Sequence, residues 1–248
     1  MTLPFRVELT GAGSAPAVNI TNAHELRAAL GVLGLHPPRP AVVVVGGAAG
    51  LEESHMERLR PVFAVGIVPA VEKYGAVAID GGTRSGVMRL FGEVRAATQA
   101  TFPLVGVAVA GKVKLPQQQA SLGVEAVLEP NHTHFVIVPG KDWGEESPWI
   151  ARTATTLAGA APSITVLVNG GQIAYSDVRQ SIEAGRPVFV IAGSGRTADV
   201  LVGALAGSQA DERAAALVDS GLIRSVSVDE PGALAELVAA ALGGSAAT

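Results

Sequence analysis

Short apolar runs, most of them closed by glycine, recur along this chain at intervals that leave room for a helix. They fall at 41–45, 76–80, 104–109, 134–138, 164–168, 188–192 and 223–227. Most are apolar at nearly every position, which suits strands buried on both faces, as in a parallel sheet covered by helices. Between them apolar residues return at helical spacing. The pattern predicts helices near 54–73, 85–99, 147–158, 173–184, 196–206, 210–219 and 231–241. Pro61 and Pro69 predict a break in the first of these. Upstream, residues 5–10 and 17–20 read as short strands around a Gly/Ser/Pro loop. Asn22 and Glu25 have capping-box spacing before a helical stretch at 23–33.

Strand–helix alternation with glycine at the strand ends predicts an α/β fold, a Rossmann-like, doubly wound, mostly parallel sheet flanked by helices. The expected organisation is an N-terminal extension over 1–40 that packs on the domain, one ligand-binding domain over 41–241, and a flexible tail over 242–248. Residues 111–133 are the least regular stretch and read as a lid or a subunit contact.

Composition narrows the function. Hydrophobic residues make up 48% of the 248 and charged residues 16%, which favours a packed core over disorder. There is no cysteine, so disulfides and thiolate chemistry are excluded. A net charge of −4 without a basic run argues against a nucleic-acid partner. No apolar run reaches membrane-spanning length, and Arg6 and Glu8 interrupt any leader-like start. The expectation is a cytoplasmic protein without a membrane partner.

Four strand exits carry glycine: Gly46 and Gly47 before Ala48, Gly81 and Gly82 before Thr83, Gly170 with Gly171, and Gly193-Ser194-Gly195 before Arg196. Carboxyl ends of parallel strands share one sheet edge, where ligands bind. Glycine lets a phosphate approach the backbone, and helix N–H groups receive it. None of these turns is the G-x-G-x-x-G fingerprint, and a single one would only mark a tight turn. Four on one edge point to an anionic ligand. Arg196 stands at a helix start, where a cation is disfavoured unless it meets an anion. It reads as a phosphate clamp, against the plainer reading of a surface arginine.

Other side chains carry two readings. Asp80 would reach a ribose hydroxyl or cap its own turn. Thr83 and Ser85 would touch a phosphate, cap a helix, or do both. His132 and His134 have strand spacing that would give half a metal site. No third ligand is evident, so one histidine bonding a loop or ligand is preferred and no metal is expected. Trp143 and Trp149 would stack on a base or pack an interface. Arg152 is a ligand contact or a helix-surface residue paired with Glu145 or Glu146.

Five blocks in order resemble the SLOG domain found in the cytoplasmic N-terminus of melastatin-type TRP channels, and most of all its free-standing prokaryotic branch. They are "VVVVGGAAGL", "YGAVAIDGGTRSGVMRLFGE", "LEPNHTHFVIVPGKDWGEE", "ITVLVNGG" and "PVFVIAGSGRTADVL", over about residues 41–205. The resemblance implies binding of a nucleotide-derived small molecule such as ADP-ribose, regulatory rather than catalytic. It also implies a ligand role for Arg152 and Trp143, no cofactor, and a homo-oligomer, dimer or tetramer. The wider superfamily includes LOG-type phosphoribohydrolases with a P-G-G-x-G-T-x-x-E motif. Here Asn169 replaces Pro, Ile173 replaces Gly, Ala174 replaces Thr, and Ser176 stands where the first acid aligns. Asp177 reads as a shorter acid one position away, poorly placed for catalysis. Three expectations stand: a sensor without catalytic residues, an N-glycoside hydrolase acting on nucleoside monophosphates, or a scaffold whose pocket is vestigial.

Overall fold

The computed structural model describes residues 3–11, 13–48, 51–115, 126–208 and 211–244. A hairpin opens the chain, β1 (Pro4–Leu9) and β2 (Gly13–Asn19). After it come α1 (Leu26–Val32), β3 (Ala41–Gly46), α2 (Glu53–Pro61), α3 (Val68–Lys73), β4 (Val77–Asp80) and α4 (Gly86–Ala97). Next are β5 (Leu104–Val109), β6 (His134–Val138), α5 (Ser147–Ala158), β7 (Ser163–Val168) and α6 (Gln172–Glu183). The chain closes with β8 (Val188–Ala192), α7 (Arg196–Leu205), α8 (Glu212–Val218), β9 (Ile223–Ser227) and α9 (Pro231–Leu242). Residues 116–125, the middle of the irregular stretch expected at 111–133, lie outside the described residues, as do 245–248 of the expected tail.

Among the described residues, nine strands form one sheet in the order β1-β2-β6-β5-β4-β3-β7-β8-β9. β1 and β2 pair antiparallel, and every other pairing is parallel. The valine run of β3 shows why these strands look uniformly apolar. Val43 and Val45 enter one core with α1, α5, α6, α7 and α8. Val42 and Val44 enter the other with α2, α3, α4 and α9. Both faces are dry, so period-two alternation puts every side chain in a core.

The predicted 54–73 helix is modified by its prolines. α2 ends on Pro61, the chain winds as a wider π-type stretch over Val62–Ile67, and α3 follows with Pro69 in its first turn. A proline amide cannot join the helix ladder, and the wider turns carry the chain past it without breaking its path. Gly66 in this stretch admits α9, since a β-carbon there would stand 2.6 Å from Leu234 Cδ2.

The chain runs outward from β3 through β4, β5 and β6, then returns to β7 on the other side of β3. The carboxyl ends of β3 and β7 therefore flank a topological switch point, where doubly wound sheets leave a crevice.

Candidate functional site

A cavity of about 550 Å³ opens at this switch point. Gly46, Gly47 and Ala48 enter it from β3, and Gly81, Thr83 and Ser85 from the end of β4. Gly171, Gln172, Ile173, Ala174 and Asp177 come from the start of α6, and Arg196 from the start of α7. Trp143, Glu146 and Ile150 come from α5 and the loop before it.

One end of the cavity is arranged around donors. Gly171 begins α6 and Ser85 begins α4, both without a side-chain cap. Each helix has 12 residues. First-turn N–H groups of such helices carry partial positive charge toward the cavity. The Thr83 and Ser85 hydroxyls share a 3.0 Å hydrogen bond beside them. Arg196 lies across Gly171, where a β-carbon would stand 3.1 Å from its Nη2. Two non-glycine residues here adopt left-handed backbone, Asn169 at φ 62° and Arg196 at φ 54°. Such conformations persist only where the surroundings enforce them. Asn169 is enforced by Ser194: its N–H donates to Ser194 Oγ at 2.8 Å and its Nδ2 to the Ser194 carbonyl at 2.7 Å.

The Gly-Ser-Gly turn differs from the sequence expectation. Asp199, in the first turn of α7, accepts from the N–H groups of Gly193 at 2.7 Å and Gly195 at 3.1 Å. The donors expected to meet a phosphate are bound to an internal carboxylate. Ser194 is fully buried as the Asn169 clamp. Of this block only Arg196 lines the cavity. Gly82 and Gly170 also stand behind the wall. A β-carbon on Gly82 would meet the Gly106 Cα at 2.7 Å, and one on Gly170 the Ala174 Cβ at 2.9 Å.

His132 and Asp80 form a buried support under the β4 turn. His132 Nε2 lies 2.7 Å from Asp80 Oδ1, and its Nδ1 lies 2.7 Å from Glu129 Oε2. Asp80 Oδ1 also accepts the Gly82 N–H at 2.7 Å. Burial pushes the imidazole pKa down, but Asp80 and Glu129 outweigh it and raise it to about 9. Asp80 thus holds its own turn. His134 faces other neighbours: its Nδ1 lies 2.7 Å from Thr133 Oγ1, and burial lowers its pKa to about 4. His132 precedes β6, so strand alternation does not place it beside His134.

Arg152 lines a separate, more open depression of about 320 Å³ with Thr155, Gln180 and Glu183, its guanidinium 5.6 Å from the Trp149 ring centre. Trp143 and Ile173 are each 37% exposed and present two apolar faces at the cavity mouth.

The sequence reading gave Glu146 only as a partner for Arg152 and misplaced Asp177. Counted from Asn169, Asp177 holds the ninth position of P-G-G-x-G-T-x-x-E, the glutamate position itself. The acid is shortened by one methylene but not displaced, and it lines the cavity. Burial drives its pKa up to about 7; the nearby Ser147 hydroxyl partly counters this and Glu146 adds to it. Asp177 Oδ1 is sealed from solvent without a hydrogen-bond partner. Burial raises Glu146 as well, against hydrogen bonds from backbone N–H groups that include Gly144 at 2.9 Å.

The sequence profile of the family described as SLOG in TRPM, prokaryote, matches residues 39–236. The chain belongs to this family. Its SLOG domain is 27% identical to the mouse transient receptor potential cation channel subfamily M member 2 over 203 aligned residues, 68% of this chain and 13% of that protein. It is 29% identical to the member-like 2 protein of Nematostella vectensis over 204, covering 67% and 13%. The chain thus spans about an eighth of the length of these curated relatives. The molybdenum cofactor carrier protein of Chlamydomonas reinhardtii shares the fold of the SLOG domain, with a TM-score of 0.50 and 15% identity over 80% of this chain and 96% of that one. Among the described residues no helix is long and apolar enough to cross a membrane.

Proposed function

We propose that this SLOG domain binds a phosphorylated, nucleotide-derived small molecule in the switch-point cavity and acts as a ligand sensor. The reading rests on one arrangement: the Arg196 guanidinium lies across Gly171 at the uncapped start of α6, inside a cavity of about 550 Å³. Helix N–H groups and a permanently charged fork suit a phosphate. Thr83 and Ser85 add hydroxyl donors. Trp143 and Ile173 offer apolar faces on which a base would lie. The ligand class is ADP-ribose-like. Calorimetry with ADP-ribose, NAD, AMP and cyclic dinucleotides tests it, and silence from all four in folded protein overturns it. We further propose a cytoplasmic homo-oligomer, checked by light scattering; a monomer at high concentration contradicts the assembly.

Asp177 favours a second reading. A carboxyl near neutrality in the cavity, at the motif's acid position, suits general acid–base work on an N-glycosidic bond. Release of free base from a nucleoside monophosphate, abolished by Asp177→Asn, would establish hydrolysis.

A further inference from the structure

Arg196 reaches the cavity from a turn that is tied on both sides to a single residue. Asn169 follows β7 directly and precedes Gly170 and Gly171. Its N–H donates to Ser194 Oγ at 2.8 Å and its Nδ2 to the Ser194 carbonyl at 2.7 Å. Its own carbonyl accepts the Ala198 N–H at 2.8 Å. Ser194 stands two residues before Arg196 and Ala198 two residues after it. Between them, Thr197 Oγ1 donates to the Gly171 carbonyl at 2.8 Å. The backbone of Arg196 is thus suspended between two anchors on Asn169. A third contact fastens it to the residue that its guanidinium covers.

Few residue types can hold this position. The backbone of Asn169 is left-handed at φ 62°, which asparagine tolerates better than most side chains. Glycine would adopt it but has no carboxamide. Proline, fixed near −65°, has neither the N–H nor the carboxamide. Asn169, Ser194 and Thr197 are all buried, and hydrogen bonds shielded from water hold their geometry firmly. The carboxamide also fits closely between neighbouring turns. A β-carbon at Gly195 would stand 2.9 Å from Nδ2, and one at Gly47 would overlap Oδ1. Arg196 itself is left-handed at φ 54°, and relaxing it to an ordinary helical φ would swing its side chain off Gly171.

We propose that Asn169 is the positioning residue of the phosphate site: its clasp on Ser194 and Ala198 sets the backbone of Arg196 and so aims the guanidinium across Gly171. The inference rests on the phosphate reading above and adds what makes that site preorganised. Asn169 does not line the cavity, so it acts on a ligand only through Arg196. It also gives Gly47 and Gly195 a reason apart from the ligand, since both make room for its side chain.

A double-mutant cycle on the full chain tests this, with AMP and ADP-ribose as probes. Calorimetry reads the tighter variants and ligand-detected NMR the weaker ones. Asn169→Gly keeps the left-handed backbone and removes the carboxamide bond to Ser194. It should bind both probes about tenfold more weakly than wild type. In an Arg196→Ala background the same substitution should cost less than twofold, because the side chain that it aims is gone. Ser194→Ala takes one acceptor from the clasp. It should cost several-fold in wild type and less than twofold in Arg196→Ala, and it decides the outcome if Asn169→Gly does not fold. Circular dichroism and thermal melts confirm the fold of each variant. A merely structural role would weaken binding equally in both backgrounds. An equal cost with and without Arg196 therefore overturns the positioning role and leaves the phosphate site standing. Binding by both Asn169→Gly and Ser194→Ala within twofold of wild type overturns it too. Wild-type protein that binds neither probe overturns the phosphate reading, and the positioning role falls with it.

Discussion

Arg196 covers Gly171 so closely that a β-carbon at Gly171 would stand 3.1 Å from the guanidinium. Gly171 is extended, with φ −154°, so alanine fits its backbone. The long arginine side chain would have to move by a few tenths of an ångström. Gly171→Ala should therefore fold normally and weaken AMP binding several-fold. Arg196→Ala should weaken it by about 10- to 100-fold, the range for a lost charge-assisted hydrogen bond. Calorimetry beside thermal melts checks both.

Asp199→Ala should destabilise the protein without touching the cavity. The substitution removes the acceptor for Gly193 and Gly195 N–H and a favourable charge in the first turn of α7. A loss of about 1–2 kcal/mol is expected from capping and dipole contributions together. Urea unfolding measures it. Asp199→Asn, which keeps one acceptor oxygen, should recover part of the loss.

His132 makes stability fall at alkaline pH. Its pKa is about 9 when folded against an ordinary 6.5, so the folded chain holds a proton that the unfolded chain releases. The contribution is complete below pH 6.5 and is lost as pH rises through 9. It is worth on the order of 3 kcal/mol. Urea midpoints from pH 6 to 10 should decline in wild type and stay flatter in His132→Gln, which begins lower because Asp80 and Glu129 lose their shared partner.

Asp177 acts in the same direction at lower pH. Its folded pKa of about 7 lies above the ordinary 3.8, so its carboxyl destabilises the fold increasingly as pH rises from about 4 to 7. Burial of His134, whose pKa is about 4, opposes this between 4 and 6.5. The contribution of Asp177 is therefore read as the difference between wild type and Asp177→Asn. The variant should gain on wild type by a few kcal/mol, roughly, across that interval, measured by urea unfolding.

The parallel strands were legible because burial on both faces leaves an unbroken apolar run; the valines of β3 serve two cores at once. The cavity was legible at Gly46, Gly47, Ala48, Gly81, Thr83, Trp143, Gly171 and Arg196, which line it. Gly82, Gly170, Gly193 and Gly195 share the same signature yet do not line it. Glycine marks a backbone that needs room, and packing against Gly106 or Ala174 needs it as much as a ligand does. Asp199 could have been read as the partner of the Gly-Ser-Gly turn, since a first-turn acid is a known capping signal. Glu146 carried no signal of its own. Only the folded chain brings the start of α5 beside α6.

The hairpin of β1 and β2 bears on how this protein is handled. The family match begins at residue 39, yet β2 pairs parallel with β6 through Ala17, Val18 and Asn19. A fragment trimmed to the family boundary would lose that pairing and uncover the apolar flank at Phe135 and Ile137, where Val7 and Ala17 now pack. Unpaired apolar edges recruit other chains. The hairpin over Pro4–Asn19 thus completes the core on this side of the sheet, and a fragment without it would leave Phe135 and Ile137 without that cover.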